Sequence, residues 1–287
     1  MKRRTALATL SLGALAMTAI EKVTGAIGLE RRGDRMPVLF VGHGSPMNAI
    51  EDNRWSRGWA ELGATLRRPD AILCVSAHWQ TSGVMVTAMD KPKTIHDFYG
   101  FPDKLTNKQY PAPGAPAIAR ETKSIVRKAP VALDEGWGLD HGTWSVLARM
   151  FPRADVPVLQ LSLDGRQNAA WHYELALELE PLRDRGVLII GSGNIVHNLR
   201  LLNRGTSAFD WAAEFDTTVK ALIDKGDHRA LADYGKLGRA AQLSVPTNEH
   251  YLPLLYALAA KNDTDSVTYF NEGITMGSIS MRSLVIG

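Results

Sequence analysis

Cysteine is nearly absent from this sequence, in which Cys74 is the only one among 287 residues. A single thiol excludes an intramolecular disulfide and any cluster of thiolate ligands. Cys74 lies inside the apolar run at positions 71–75, and a cysteine in such a run is typical of a buried, unreactive thiol. We therefore expect Cys74 to be structural.

Several motifs of common protein classes are also missing. No GxGxxG follows the first apolar run, and neither GxxxxGK[ST] nor HExxH occurs, so nothing indicates a phosphate-binding loop or a zincin helix. Ser45 in the segment GHGSP lacks the second glycine of a GxSxG nucleophile turn. The 33 basic and 30 acidic residues are mixed along the chain, without a basic cluster of the kind that binds nucleic acid, so we expect no nucleic-acid partner.

Residues 1–35 differ from the rest of the chain. The basic segment KRR at positions 2–4 precedes an uncharged run over 5–20 that is rich in alanine and leucine and too short to span a bilayer comfortably. This arrangement resembles a twin-arginine export signal and predicts a periplasmic protein without a stable membrane span. The alternative is translation from Met36, which would give a complete cytoplasmic domain.

From Pro37 onward, apolar runs suited to strands alternate with stretches of helical period. This order is typical of a mainly parallel sheet that helices cover on both faces. The predicted strands are Val38–Val41, Ala71–Ser76, Val156–Leu161, Val187–Gly191, Val267–Phe270 and Ser280–Ile286, and the predicted helices are Arg54–Leu66, Ala115–Arg127, Trp144–Met150, Ala169–Arg185, Trp211–Asp224 and Glu249–Ala260. We therefore expect a single α/β domain over residues 36–287.

Three of the eight histidines follow predicted buried strands. His43, His78 and His197 each come just after such a strand, beside Gly, Ser or Ala residues that let the backbone turn. Ligands of open α/β sheets bind in the crevice outside the carboxyl ends of the strands. Because imidazole is a good ligand for zinc and iron, three imidazoles at one rim predict a transition-metal site there.

Two further histidines have both a functional and a structural interpretation. His250 stands at the start of a predicted helix, beside Glu249, whose carboxylate is favourable in a first helical turn without any other role. His141 lies in a tight loop that enters a helix, where Asp140 or Thr143 is a candidate N-cap. The residues alone leave both interpretations open.

The segment Thr94–Pro116 is a long predicted loop, rich in glycine, proline and aromatic residues. Long structured loops often bind or cover a ligand. We expect this loop to close over the substrate and His96 to contact it, while the loop aromatics could equally form a small core of their own. His172 and His228 lie on predicted helices among polar residues, and we interpret them as surface or packing residues.

Residues 36–287 contain eight distinctive segments, in this order: MPVLFVGHGSPMNAIEDN, VSAHWQT, TIHDFYGFP, YPAPGAP, WGLDHGTWSVL, GSGNIVHNLR, EHYLPLLYALAA and GSISMRSLVIG. In this order they closely resemble the class III extradiol ring-cleaving dioxygenases, in particular the 4,5-DOPA dioxygenase branch. The resemblance implies an enzyme that inserts O2 into the ring of a substituted catechol such as DOPA and gives a ring-opened semialdehyde. It also implies a mononuclear Fe(II) site, with Zn(II) a common occupant of the isolated protein.

The same resemblance implies roles for the site histidines. His43 and His78 would be metal ligands, and His197 would lie at the metal and the substrate as ligand or base. His250 would complete the metal environment, although relatives with a glutamate as third ligand keep Glu249 open as the alternative. The resemblance further implies that the substrate is bound and protonated by His141.

The chemistry of a catechol fits these residues. A catechol must lose protons to chelate a metal through both oxygens, so a nearby neutral imidazole can serve as base. A zinc-dependent hydrolase is one alternative, because a histidine-rich rim with an open position also activates water. A non-catalytic binding protein on the same fold is the other, and the presence of all five site histidines argues against it. The physiological catechol and the oligomeric state stay open.

Overall fold

The computed structural model describes residues 35–203, 205 and 207–287. Apart from Arg35, the signal-like segment expected at residues 1–35 lies outside the described residues. The strands are β1 (Val38–Gly42), β2 (Ala71–Thr81), β3 (Val84–Thr87), β4 (Val131–Asp134), β5 (Val158–Asp164), β6 (Val187–Gly193), β7 (Val267–Phe270), β8 (Ile274–Thr275), β9 (Ile279–Ser280) and β10 (Ser283–Ile286).

The α-helices are α1 (Arg54–Thr65), α2 (Asp103–Thr106), α3 (Pro116–Ile125), α4 (His141–Met150), α5 (Ala169–Ala176), α6 (Asp210–Lys225), α7 (His228–Ala232), α8 (Arg239–Ser244) and α9 (Leu252–Ala259). Short 3₁₀ segments cover Pro46–Ala49, Leu177–Arg185, Leu199–Leu201 and Tyr234–Lys236. Among the residues that the structure describes, no helix is long and apolar enough to cross a membrane.

Eight strands form one sheet in the order β4-β3-β5-β2-β6-β1-β10-β7. The central strands β5, β2, β6 and β1 are parallel to one another. At one end β10 and β7 are added antiparallel, and at the other β3 pairs antiparallel with β5 and parallel with β4. The predicted α/β domain with a mainly parallel sheet is confirmed, and the carboxyl ends of β1, β6 and β2 meet at one edge.

Both faces of the sheet are buried, as the near-continuous apolar strands require. Along β1, Val38 and Phe40 belong to one core cluster, whereas Leu39 and Val41 belong to the other, because successive side chains of a strand point to opposite faces. Helices α3, α5, α6 and α9 contribute to the first cluster. Helices α1 and α4 contribute to the second.

Three predicted strands differ most from the structure. β2 continues past Ser76 to Thr81, and its pairing with β5 shifts register between Val75 and Gln80. β5 covers Val158–Asp164 instead of starting at Val156. The single strand expected at Ser280–Ile286 is divided into β9 and β10, because the backbone of Met281 leaves the sheet to bond Gly273. Hydrophobic pattern alone did not indicate β3 and the edge strand β4.

Two predicted helices differ most from the structure, and both are shorter than expected. The α-helix expected at Ala169–Arg185 ends at Ala176 and continues as a 3₁₀ segment that contains Pro181. Proline lacks an N–H and its ring clashes with the preceding helical turn, so an α-helix cannot pass through it undisturbed. The last predicted helix begins at Leu252 instead of Glu249, with a proline in its first turn.

Candidate active site

The carboxyl edge of the sheet carries the three histidines that were predicted there. His43 directly follows β1, and His197 lies beyond the end of β6. His78 was expected after a strand but lies within β2, in the stretch where the register with β5 shifts. An irregularity of this kind redirects a side chain, and this one brings His78 to the same edge.

Two turns add His141 and His250 to this edge. His141 is the first residue of α4, whose N-cap is Asp140, a carboxylate that accepts a hydrogen bond from the backbone N–H of Thr143 at 3.1 Å. His250 lies in the turn before α9, and its carbonyl accepts a hydrogen bond from the backbone N–H of Asn194 at 2.8 Å, which ties the turn to the end of β6. Asp140 is thus the cap, as one of the two alternatives predicted.

The five imidazole rings form one cluster. The ring centroid of His43 lies 5.0 Å from that of His78, 5.6 Å from His141 and 5.4 Å from His250. The rings of His78 and His141 are 3.9 Å apart. His197 stacks on His250 at 3.5 Å with an interplanar angle of 8°. The site histidines predicted from the sequence are therefore brought together, with His96 the exception described below.

Two groups within the cluster are spaced closely enough to hold a metal ion. The ligand atoms of His43, His78 and His141 all lie within 4.8 Å of one another. The same holds for His197, His250 and the carboxylate of Glu249. The rings of His78 and His250, one from each group, have centroids 5.0 Å apart, so the two groups border one space.

Hydrogen bonds around His43 determine which of its two ring nitrogens carries the proton and which carries a free lone pair. The hydroxyl of Ser192 donates to the carbonyl of Gly142 at 2.5 Å, so its proton is already used. Nδ1 of His43 lies 3.1 Å from the same hydroxyl oxygen and must donate to it. A neutral imidazole carries one proton, so Nε2 of His43 bears a free lone pair.

A carboxylate lies beside Nδ1 of both His78 and His250. Nδ1 of His78 lies 3.2 Å from a carboxylate oxygen of Asp97, and Nδ1 of His250 lies 3.1 Å from Oε1 of Glu249. An ionised carboxylate only accepts, so both rings carry their proton on Nδ1. Nε2 of His78 then faces Nε2 of His43 at 3.1 Å, and the buried Nε2 of His250 has no hydrogen-bond partner in the described chain. Lone pairs gathered in this way fit a bound cation.

Burial keeps these imidazoles neutral. Desolvation, followed by the neighbouring histidines, lowers the pKa of His43 and of His250 well below the usual 6.5. Burial is also the main cause that lowers the pKa of His78 to about 3 and that of His197 to about 4. Neutral imidazole is the form that binds a metal or accepts a proton, so these four histidines are in that form at neutral pH.

Asp97 is a site residue that reasoning from the sequence missed. It lies in the predicted loop Thr94–Pro116, directly after His96. Burial alone would raise the pKa of Asp97, but hydrogen bonding and charge from His141, together with His78, lower it to about 2. The one available signal was its position inside the motif TIHDFYGFP.

His96 itself points into its own loop. Its Nε2 lies 2.9 Å from the carbonyl oxygen of Lys108, and its ring packs 5.7 Å from Phe98 and 5.4 Å from Trp144. Phe98 also lies edge-on against His141 at 5.5 Å. The loop aromatics do not form a core of their own. Tyr110 belongs to the second core cluster, Phe98 and Phe101 pack against it, and Tyr99 is exposed. The substrate contact predicted for His96 stays a prediction.

Three other residues lie where the sequence placed them. Cys74 is a buried free thiol in the core, and burial raises the pKa of this thiol. His172 is buried and packs through contacts with Tyr256 and the backbone of Asp164. His228 contacts the hydroxyl of Tyr173 at 2.8 Å. The described structure gives none of the three a place in the histidine cluster.

The chain is similar to known ring-opening dioxygenases. Residues 37–280 match the family model described as the catalytic LigB subunit of aromatic ring-opening dioxygenase. A 4,5-DOPA dioxygenase extradiol of Escherichia coli K12 is 51% identical over 259 residues, which cover 88% of this chain and 95% of the relative. A 4,5-DOPA dioxygenase extradiol of Beta vulgaris is 35% identical and covers 85% of this chain and 94% of its own length.

A solved structure matches as well. The crystal structure of an uncharacterized Escherichia coli K12 protein has a TM-score of 0.78 and 46% sequence identity. The match covers 88% of this chain and 100% of the solved chain. The likeness therefore extends over nearly all of the described α/β domain.

Proposed function

Because the chain belongs to the family of the catalytic LigB subunit of aromatic ring-opening dioxygenase, we propose that this extradiol dioxygenase acts on a catechol that carries a side chain, such as DOPA, with Fe(II) as its working metal. The substrate class is supported by the 4,5-DOPA dioxygenases that are 51% and 35% identical. One observation carries the proposal. The buried imidazoles of His43 and His250 and the half-buried imidazole of His78, each with its proton held by another group, direct free lone pairs into a single space.

His43, His78 and His250 are the residues that would hold the metal. Extradiol dioxygenases of this family are metal-dependent, and these three side chains form a neutral all-imidazole set that suits iron or zinc. A bound divalent ion supplies Lewis-acid chemistry, which lowers the pKa of the catechol hydroxyls and orients the ring. Zinc has no redox chemistry, so we assign turnover with O2 to Fe(II) and regard Zn(II) as an alternative occupant.

His197 is proposed as the base and not as a fourth ligand. Its ring is nearly parallel to that of His250, with the centroids 3.5 Å apart. Lone pairs in two nearly parallel ring planes do not converge on one point, so His197 and His250 would not both be ligands of the same ion. With its pKa lowered to about 4 by burial, His197 is neutral at pH 7 and can accept a catechol proton.

His141 is proposed to bind the substrate and return a proton to it. Its side chain is buried, its ring borders that of His78 at 3.9 Å, and its Nδ1 lies 3.0 Å from the carboxylate of Asp97. A carboxylate in this position stabilises the protonated imidazole. Phe98 closes one side of this histidine and excludes water from it.

Oxygen uptake tests the proposal. Metal-free protein is loaded anaerobically with Fe(II) or Zn(II) and mixed with L-DOPA, dihydroxyphenylacetate or unsubstituted catechol. We expect the Fe(II) form to consume one O2 per catechol and to form the absorbance of a semialdehyde, fastest with a substrate that has a side chain, and the Zn(II) form to be inactive. His228→Gln, outside the cluster, should behave like the wild type. Bound Fe(II) without O2 uptake from any of the three catechols would refute the function.

A further inference from the structure

Asp97 joins two histidines of the site through a single oxygen. Oδ2 lies 3.2 Å from Nδ1 of His78 and 3.0 Å from Nδ1 of His141. Oδ1 accepts a hydrogen bond from the backbone N–H of His141 at 3.0 Å. The carboxylate is the ion-pair partner of the buried Nδ1 of His141, and no hydrogen bond to another group of the described residues competes with it.

We propose that Asp97 is a positioning residue that keeps a proton on Nδ1 of His78 and of His141 at the same time. This inference rests on the proposed function, because it assigns a metal ligand to His78 and the substrate contact to His141. The carboxylate thereby links the metal site to the substrate site. It also gives the loop Thr94–Pro116 a direct role, since Asp97 belongs to this loop.

The acceptor arrangement explains why a carboxylate is needed at this position. Both oxygens of an ionised aspartate accept hydrogen bonds, and here one backbone N–H and two imidazole nitrogens lie within 3.2 Å of them. An asparagine has one accepting oxygen and one donating NH2 group. If the NH2 group faces the two imidazoles, it requires protons on their Nε2 atoms. If the NH2 group faces the backbone N–H of His141, two hydrogen-bond donors oppose each other and no bond forms between them.

A proton moved to Nε2 of His78 would occupy the lone pair that faces His43 at 3.1 Å. Metal affinity would fall, because a metal must then displace that proton. Loss of a carboxylate behind a metal-bound histidine typically weakens metal binding about 10- to 100-fold. A proton moved to Nε2 of His141 would change the group that this ring presents to the substrate.

The test compares Asp97→Asn with Asp103→Asn, which removes an exposed carboxylate from the same loop. The Zn(II) dissociation constant is measured by competition with a chromophoric chelator. Histidine ¹⁵N NMR of the zinc-loaded full-length protein reports the protonation of Nδ1 of His141. We expect a 10- to 100-fold weaker Zn(II) complex and loss of the Nδ1 proton in Asp97→Asn, and wild-type behaviour in Asp103→Asn.

A purely structural role gives a different result. If Asp97 only anchors the loop, Asp97→Asn lowers the midpoint of unfolding but leaves Zn(II) affinity and the Nδ1 proton unchanged, which would overturn the proposal. If this variant does not fold, wild-type protein whose His141 lacks a proton on Nδ1 overturns it equally. Neither readout depends on turnover. A protein that binds zinc as expected but consumes no O2 after loading with Fe(II) would therefore refute the proposed function and leave the role of Asp97 standing.

Discussion

Oxygen Oε1 of Glu249 lies 3.1 Å from Nδ1 of its neighbour His250 and accepts a hydrogen bond from the hydroxyl of Thr247 at 2.8 Å. An oxygen with these two partners is engaged with the protein and holds the proton of His250 on Nδ1. The geometry therefore favours His250 as the third metal ligand, with Glu249 behind it.

This arrangement predicts different consequences for the two neighbours. We expect His250→Gln to lose the metal, because the substitution removes a direct metal ligand. Glu249→Gln should retain it with an affinity about 10- to 100-fold lower, as for other carboxylates behind a metal-bound histidine. Metal analysis after dialysis against a weak chelator separates the outcomes. The reverse order, with the metal lost only in Glu249→Gln, would make Glu249 the ligand.

A second prediction separates ligands from acid–base groups. His43→Gln should abolish metal retention, whereas His141→Gln and His197→Gln should keep the metal and lose turnover. Removal of a general acid or base typically lowers the rate about 10²- to 10⁴-fold. Elemental analysis beside oxygen uptake provides the measurement. A metal-free His197→Gln protein would make His197 a ligand and contradict the argument from its stacking on His250.

A third prediction concerns the pH dependence of stability at His172, outside the site. Burial lowers the pKa of this histidine to about 4. Because this is below the unfolded value near 6.5, the unfolded chain takes up the proton first, so stability falls as pH decreases from 6.5 towards 4. Between pH 7 and 5 we expect the wild type to lose about 2 kcal/mol more unfolding free energy than His172→Gln. Urea unfolding of both proteins at the two pH values measures this difference, and equal losses would contradict it.

A fourth prediction concerns the buried ion pair between Arg183 and Asp265. The guanidinium of Arg183 binds both carboxylate oxygens of Asp265, at 2.5 and 3.0 Å, and its side chain is 1% exposed. Asp265→Ala leaves this charge buried without its partner, which typically costs about 3–5 kcal/mol. The matched control is Asp233→Ala, which breaks an exposed pair with Lys236 and should lower the unfolding free energy far less. Similar losses in the two variants would contradict the assignment.

Much of the sheet was readable in the sequence because its strands are buried on both faces. Val38–Val41 and Val187–Gly191 are continuous apolar runs, and each forms a parallel strand at the predicted place. β3 and β4 at the end of the sheet gave no comparable signal. Two of the four residues of β4 are exposed, so its hydrophobic pattern is too weak to distinguish it from a loop.

The sequence by itself determined that His43 and His197 would meet at one edge, since the carboxyl ends of parallel strands lie together. Only the tertiary structure decided how their neighbours take part. His78 reaches the edge through a register shift inside β2, and Asp97 reaches it from a loop. Oε1 of Glu249 is hydrogen-bonded to Thr247 and to Nδ1 of His250, which leaves Nε2 of His250 available to the site. The positions of strands along the chain follow from local hydrophobic pattern, whereas hydrogen-bond partners distant in the chain depend on packing that no local pattern records.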